Sequence, residues 1–179
     1  MLFRSTSNAL AFYYAPPYCL RLLEPDLDAN NRFIRDESLM REASALSNPD
    51  QILQEQSAVM PKFFGPEPSH GWCYYFEKAD LARQFADWNE VAKLGNQAFK
   101  LNDSPNNPVE RFVFIEGYAH VGNWDRAIEL SKVSYKVSKD YVGPLLCQLW
   151  KRIETGTTAG VERSAALDNI QKTLACGVQ

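Results

Sequence analysis

The chain reads Ala86-Asp87-Trp88-Asn89-Glu90-Val91 and repeats this pattern 36 residues later as Gly122-Asn123-Trp124-Asp125-Arg126-Ala127. Each copy joins two runs of helix-compatible residues through a turn of small, polar and aromatic side chains. A period of this length is typical of stacked helical hairpins rather than of an enzyme fold. Such stacks mostly bind other proteins, so the pattern predicts an architecture more sharply than a biological role.

The pattern predicts a mainly α fold of antiparallel helical hairpins, because a short turn forces its two helices to run back along each other. The first two hairpins are predicted from helices at residues 72–85 and 89–101, and at 109–121 and 124–138. We expect a further helix to open at Gly143-Pro144 and run through Ile153, and a last one over 159–176. This final pair would be a third, divergent hairpin that caps the stack.

The N-terminal third predicts a different kind of structure. Leu10–Ala15 and Cys19–Leu23 are apolar runs separated by Pro16-Pro17, which favours two short strands over a helix. Two helices are expected at 36–46 and 50–59, the second capped by Asn48. We therefore expect one compact domain with four parts. They are an N-terminal segment 1–60, a Pro-rich linker 61–71, two hairpins 72–139 and capping helices 140–179.

Composition excludes several classes of function. The net charge is −3, the isoelectric point is about 5.5, and Lys and Arg form no run, so we do not expect a nucleic-acid binder. No apolar stretch approaches the ~20 residues of a membrane span, so this chain is not expected to insert into a membrane. Neither a G-x-S-x-G nor a G-x-x-x-x-G-K motif is present. The prediction is therefore a non-enzyme with no cofactor and no metal.

The four cysteines, Cys19, Cys73, Cys147 and Cys176, lie far apart and form no Cys-x-x-Cys pair. A chain of this length and apolar content does not need disulfides for stability, which favours buried free thiols. A disulfide remains open if the domain lies outside the cytoplasm.

One loop has the spacing of a calcium site. Asp26, Asp28, Asn30 and Glu37 occupy positions one, three, five and twelve of a loop of the EF-hand type. The entering helix is missing because Pro25 precedes the loop. A polar turn is the favoured interpretation, and a calcium-stabilised protein is the alternative.

Two pairs, His70 with Cys73 and Glu116 with His120, have spacings found in zinc sites. Neither pair has a third ligand in view, so we interpret them as structural residues.

The repeated segments resemble the tetratricopeptide repeat. Its small, aromatic and small positions are matched by Ala86, Trp88 and Val91, and 36 residues on by the second copy. The small residue that lets the two helices approach is matched by Ala79, whereas the second copy has Ile115. The resemblance covers about 70 residues and implies that the first helix of each hairpin lines a concave binding face.

On that face the resemblance implies contacts with a protein or peptide segment. The partner-binding residues that it predicts are Phe76, Asp80, Arg83, Gln84, Phe112, Glu116 and His120. The alternative is that the chain's own N-terminal segment or the Pro-rich linker covers this face. Trp88 and Trp124 are expected to be structural, each at a hairpin turn.

A second resemblance concerns the whole chain. The segments Tyr13–Arg21, Phe64–Tyr75 and Lys78–Gln84 resemble the soluble C-terminal region of bacterial polytopic membrane proteins, some of them similar to membrane glycosyltransferases. The resemblance implies a place on the extracytoplasmic face of a membrane and supplies no catalytic residue. We therefore expect a non-catalytic interaction or scaffold module, whose partner is another protein or its own membrane portion. The alternative is an accessory domain that helps a membrane glycosyltransferase to hold its acceptor.

Overall fold

The structure is a computed structural model that describes residues 9–35, 39–53, 69–174 and 176. It is mainly helical with a small antiparallel sheet near the N-terminus, which confirms the predicted fold class. The strands are β1 (Phe12–Tyr13) and β2 (Arg21–Leu22). The helices are α1 (Pro25–Asp28), α2 (Met40–Ala43), α3 (Trp72–Gln84), α4 (Trp88–Ala98), α5 (Phe112–His120), α6 (Trp124–Val137), α7 (Lys139–Gly156) and α8 (Val161–Leu174).

The long helices pack as three successive pairs. α3 packs on α4, α5 on α6 and α7 on α8, and the second helix of each of the first two pairs also packs on the first helix of the next pair. The first helices contact one another in series, with α5 between α3 and α7. We call these three helices the A layer. In the part of the chain that the structure describes, no helix is both long and apolar enough to cross a membrane.

The two copies of the repeat form the same turn. Ala86 and Gly122 both have a positive φ, 55° and 80°. The next backbone N–H reaches back to the helix in each copy, from Asp87 to the Ala82 carbonyl at 3.0 Å and from Asn123 to the Tyr118 carbonyl at 2.8 Å. This is a Schellman ending, which satisfies carbonyls that the last turn of a helix leaves unpaired.

The same two residues begin the second helix of each pair. The Asp87 side chain accepts a hydrogen bond from the backbone N–H of Glu90, and Asn123 does so from Arg126. Such N-caps satisfy N–H groups that have no partner within the helix. Trp88 and Trp124 are therefore the first residues of α4 and α6, at the hairpin bends.

α5 is the centre of the core, since Phe112 to Ala119 are all buried. A Cβ atom added to Gly117 would lie 2.2 Å from Cγ1 of Val91 on α4, so only glycine fits this contact between neighbouring hairpins. Alignment of the two repeats compares Ala79 with Ile115 and does not reveal this position.

The expected helix start at Gly143-Pro144 is wrong. α7 begins at Lys139, and Pro144 lies inside it. Pro144 and Asp140 are both exposed, so the hydrogen bond that proline cannot donate is lost on the solvent side, where its loss costs least. A single extended residue, Ser138, separates α6 from α7.

The N-terminal helices are shorter than expected. Residues 39–46 form only α2 followed by a 3-10 turn at Ser44–Leu46, and residues 36–38 lie outside the described part. The helix expected at 50–59 is a 3-10 turn at Pro49–Gln51, as far as the described residues reach, and Asn48 does cap it by accepting from Asp50. The predicted linker lies outside the described residues except for 69–71, which are not helical.

The favoured interpretation of the cysteines as free thiols is wrong. Cys19 bonds to Cys73 and Cys147 bonds to Cys176. The pairs are 54 and 29 residues apart in sequence, and burial alone does not distinguish a thiol from a half-cystine. The first bond ties the N-terminal segment to α3, and the second ties α7 to the end of α8.

Candidate functional site

The A layer does carry the predicted partner-binding residues. Phe76, Asp80, Arg83 and Gln84 lie on α3, and Phe112, Glu116 and His120 lie on α5. Phe76, Phe112 and Glu116 are each only 3% exposed. A partner could reach these three side chains only by displacing something that already covers them.

The cover is the chain's own N-terminal segment, which the sequence left open as the alternative. After the disulfide at Cys19, this segment runs over the A layer through β2 and α1. A void of only about 20 Å³ remains between Leu22, Glu24 and Leu27 on one side and the A-layer residues on the other. Leu27 is 4% exposed and belongs to the main hydrophobic core.

Glu24 is held between two arginines of the A layer. One of its oxygens accepts from Arg83 of α3, and the other accepts from Arg152 of α7 at 2.7 Å. Arg152 also forms two parallel bonds to Glu116 of α5, at 2.8 and 2.6 Å, and Arg83 bonds to Asp80 at 2.7 Å. We call these five residues the Glu24 network.

Contacts between opposite charges explain why this network can be buried. Burial alone would raise the pKa of Glu24, but the positive charges of Arg83 and Arg152 lower it below its usual value. Burial acts to lower the pKa of Arg83, and the carboxylates of Glu24 and Asp80 raise it overall. Each buried charge therefore has partners of opposite sign, which offsets the cost of removing it from water.

In the candidate calcium loop, Asp28 is already paired with the guanidinium of Arg21. Asp28 is fully buried, and its oxygens accept from Arg21 and Asn31 at 2.9 Å and from the backbone N–H of Glu24 at 2.9 Å. The Asp28 carboxylate is thus already neutralised by a guanidinium. Glu37 lies outside the described residues, and those that are described contain no cluster of three metal-ligating side chains.

Neither of the two residue pairs with zinc-site spacing belongs to a cluster of metal ligands among the described residues. Cys73 is consumed by its disulfide, and His70 stacks on Tyr74 with the ring centroids 3.5 Å apart. His120 stacks on Trp88 at 3.7 Å and borders an open cleft of about 450 Å³ beside the loop that joins α7 to α8. Burial lowers the pKa of His120, partly opposed by Glu116, so its ring is neutral at neutral pH.

A larger groove lies where the N-terminal segment meets α6, α7 and the end of α8. Its volume is about 1010 Å³, and we call it the cationic groove. The described residues that line it are Asn30, Arg32, Arg41, Tyr135, Lys139, Asp140, Tyr141, Gly143, Pro144, Cys147, Gln148, Leu174 and Cys176. Three of them are cationic at neutral pH and only Asp140 is anionic, although the chain as a whole carries a net charge of −3.

Aromatic rings hold two of these cations in place. The guanidinium of Arg32 lies 5.6 Å from the ring centroid of Tyr141, and the ammonium of Lys139 lies 5.9 Å from that of Tyr135. Both distances are within the range of cation–π attraction. Neither cation forms an ion pair with a described carboxylate.

No family model matches this sequence, and no curated protein or solved structure matches it significantly. The resemblances to the tetratricopeptide repeat and to bacterial membrane proteins therefore stay predictions.

The expectations from the sequence do not include Glu24, Arg152 or the cationic groove. One signal was available, because Asp80, Glu116 and Arg152 are spaced by the same 36 residues as the two tryptophans. Extending the repeat to a third copy would have placed these charges side by side on the A layer. For Glu24, Arg32 and Tyr141 the sequence carries no comparable pattern.

Proposed function

We propose that this chain is a non-catalytic protein-interaction module that binds its partner in the cationic groove rather than on the A layer. The observation that carries the proposal is a contrast in exposure. The central residues of the A layer are buried under the N-terminal segment. The cationic groove is open, and its Tyr141 is 44% exposed. Tyrosine and arginine are the residue types that protein interfaces favour.

The state of the buried acids supports a binding role over a catalytic one. Glu24, Asp80 and Glu116 are paired with arginines, and Asp28 is paired with Arg21. Glu110, which is fully buried, accepts instead from the backbone N–H of Cys19 and the indole N–H of Trp72. A general acid or base needs a pKa near the working pH and access to a substrate. Carboxylates that are paired or hydrogen-bonded in the interior and covered by the chain lack this access.

The two disulfides favour an oxidising compartment, since such bonds rarely persist in the cytosol. Together with the resemblance to bacterial membrane proteins, this leads us to place the module on the extracytoplasmic side of a membrane. There it would dock a separate protein or the membrane portion of its own polypeptide.

Site-specific photo-crosslinking tests the proposal. A benzophenone side chain at Tyr141 should form an adduct with one protein in cells of the source organism. The adduct should disappear when Arg32→Glu and Lys139→Glu are added, and persist with the matched changes Lys78→Glu and Arg126→Glu, whose cations lie over the rings of Tyr74 and Phe99 outside the groove. The purified partner should then bind the 179-residue chain in solution.

The proposal is wrong if adducts at Tyr141 are insensitive to the groove changes, or if the strongest adducts form instead from Phe76 or Phe112 of the A layer.

A further inference from the structure

The cationic groove has a composition that selects among partners. Its wall joins two side-chain pairs, Arg32 with Tyr141 and Lys139 with Tyr135, in which a cation lies over a phenol ring. Phe33 supports one of them, since its ring meets the Tyr141 ring edge-on at 6.0 Å. The cations are thus positioned by packing while their charge has no described carboxylate to neutralise it.

A second observation points to the backbone of a ligand. Gln148 lines the same groove, and its side-chain oxygen is buried and has no hydrogen-bond partner among the described residues, so a ligand meets this oxygen when the side chain turns into the groove. An unpaired buried acceptor is unfavourable, so a donor that reaches this oxygen is favoured. A peptide N–H is such a donor, whereas chloride and sulfate have none to offer.

We infer that the cationic groove binds an extended acidic segment of the partner protein, rich in Asp and Glu. Carboxylates of the segment face Arg32 and Lys139, and a backbone N–H pairs with the Gln148 oxygen once that side chain turns into the groove. The inference rests on the proposed function and names the chemistry of its partner. Nucleic acid is the disfavoured polyanion, because Lys and Arg form no run in the sequence and the groove lining offers only three cations to a row of phosphates.

Groups that oppose this assignment are few among the described lining residues. Asp140 is the one anionic side chain on the groove wall, and it is exposed, so solvent screens it. The second disulfide joins Cys147 and Cys176, which both line the groove, and it fixes the end of α8 as the far wall. A wall held by a covalent bond reduces the ordering cost of binding.

Fluorescence anisotropy with two short labelled peptides tests the inference on the full chain. One peptide is rich in Asp and Glu, and the other has Asn and Gln at the same positions. The acidic peptide should bind at least about ten-fold more tightly at low salt, and the preference should shrink as salt is added. Arg32→Gln and Lys139→Gln should each weaken its binding by about two- to five-fold.

Matched controls separate charge in the groove from charge elsewhere. Lys78→Gln and Arg126→Gln remove cations that also lie over aromatic rings and should leave the affinity unchanged. Gln148→Leu should weaken both peptides by a similar factor, because it removes the acceptor for the backbone. Circular dichroism confirms that each variant is folded.

Equal affinity for the two peptides would overturn the inference, as would binding to vesicles of anionic lipid that depends on Lys139 when neither peptide binds. If photo-crosslinking at Tyr141 still yields a groove-dependent protein partner in that case, the proposed function stands and only the acidic character of the partner is refuted.

Discussion

At the scale of single residues, the two hairpin turns differ in one atom that matters. Ala86 and Gly122 have the same left-handed conformation, but alanine carries a Cβ that this conformation disfavours by about 1–2 kcal/mol. Ala86 is exposed, and nothing lies within 4 Å of a Cβ built on Gly122, so strain rather than packing decides the preference.

The first prediction follows from this strain. Ala86→Gly should raise the free energy of unfolding by about 1 kcal/mol, and Gly122→Ala should lower it by a similar amount. Ala165→Gly is the matched control, because Ala165 is an exposed residue within α8, where glycine should destabilise by about 1 kcal/mol. Urea unfolding measures all three, and a destabilised Ala86→Gly variant would refute the shared turn geometry.

Glu24 is the residue on which closure of the A layer depends. Glu24→Gln removes the charge that Arg83 and Arg152 share, so we expect the free energy of unfolding at pH 7 to fall by about 2–4 kcal/mol. The folded-state pKa of Glu24 is lowered, so its contribution is present above the ordinary value of 4.5 and is lost as the pH falls through the folded-state pKa. The difference between wild type and variant should therefore shrink in acid.

Glu77 provides a control of opposite sign. Burial raises its pKa, so its charged form is disfavoured in the folded state and its contribution to stability improves as the pH falls. Glu77→Gln should be no less stable than wild type at pH 7. As the pH falls, the free energy of unfolding of the wild type should rise relative to that of this variant.

A difference in the free energy of unfolding between wild type and Glu24→Gln that is constant from pH 7 to pH 3 would show that Glu24 is not held as an ion pair.

At the scale of elements, packing between hairpins depends on Gly117. Gly117→Ala places a methyl group against Val91 and should destabilise the protein by about 3 kcal/mol. Adding Val91→Ala makes room for the methyl group, so the double variant should be more stable than the sum of the two single changes predicts.

Gly160→Ala is the comparison outside this element, since Gly160 precedes α8 and a Cβ there meets nothing within 4 Å. Its cost should stay below about 1 kcal/mol, because it changes only the residue that caps α8. Strictly additive effects of Gly117→Ala and Val91→Ala would mean that α4 and α5 do not approach each other at this point.

The elements show which parts of the fold a sequence can reveal. The turns at Trp88 and Trp124 were predictable because a cap, a small residue and a helix start act within six residues. Glu24 and Arg152 meet across 128 residues, and no local pattern encodes such a pair. The cysteine pairings likewise depend on proximity in the fold. A proline inside a helix is tolerated where its surroundings are exposed, and the sequence does not show that exposure, so Gly143-Pro144 predicts a helix start instead.

At the scale of the whole molecule, two disulfides join Cys19 of the N-terminal segment to α3 and Cys176, beyond α8, to α7. Thiol titration in denaturant without reductant should find no free thiol, and four after reduction. The sample must come from an oxidising compartment or be refolded in air. Two or more reactive thiols before reduction would contradict the pairings and leave the extracytoplasmic location to the resemblance alone.

The central claim is that the chain covers its own A layer and leaves the cationic groove as the binding surface. The most direct measurement is NMR chemical-shift mapping of the chain during titration with the acidic peptide. We expect the perturbed amides to cluster around Arg32, Tyr135, Lys139, Tyr141 and Gln148, and the amides of Phe76 and Phe112 to stay unchanged. Perturbations that centre on α3 and α5, with release of the Glu24 segment, would contradict the claim.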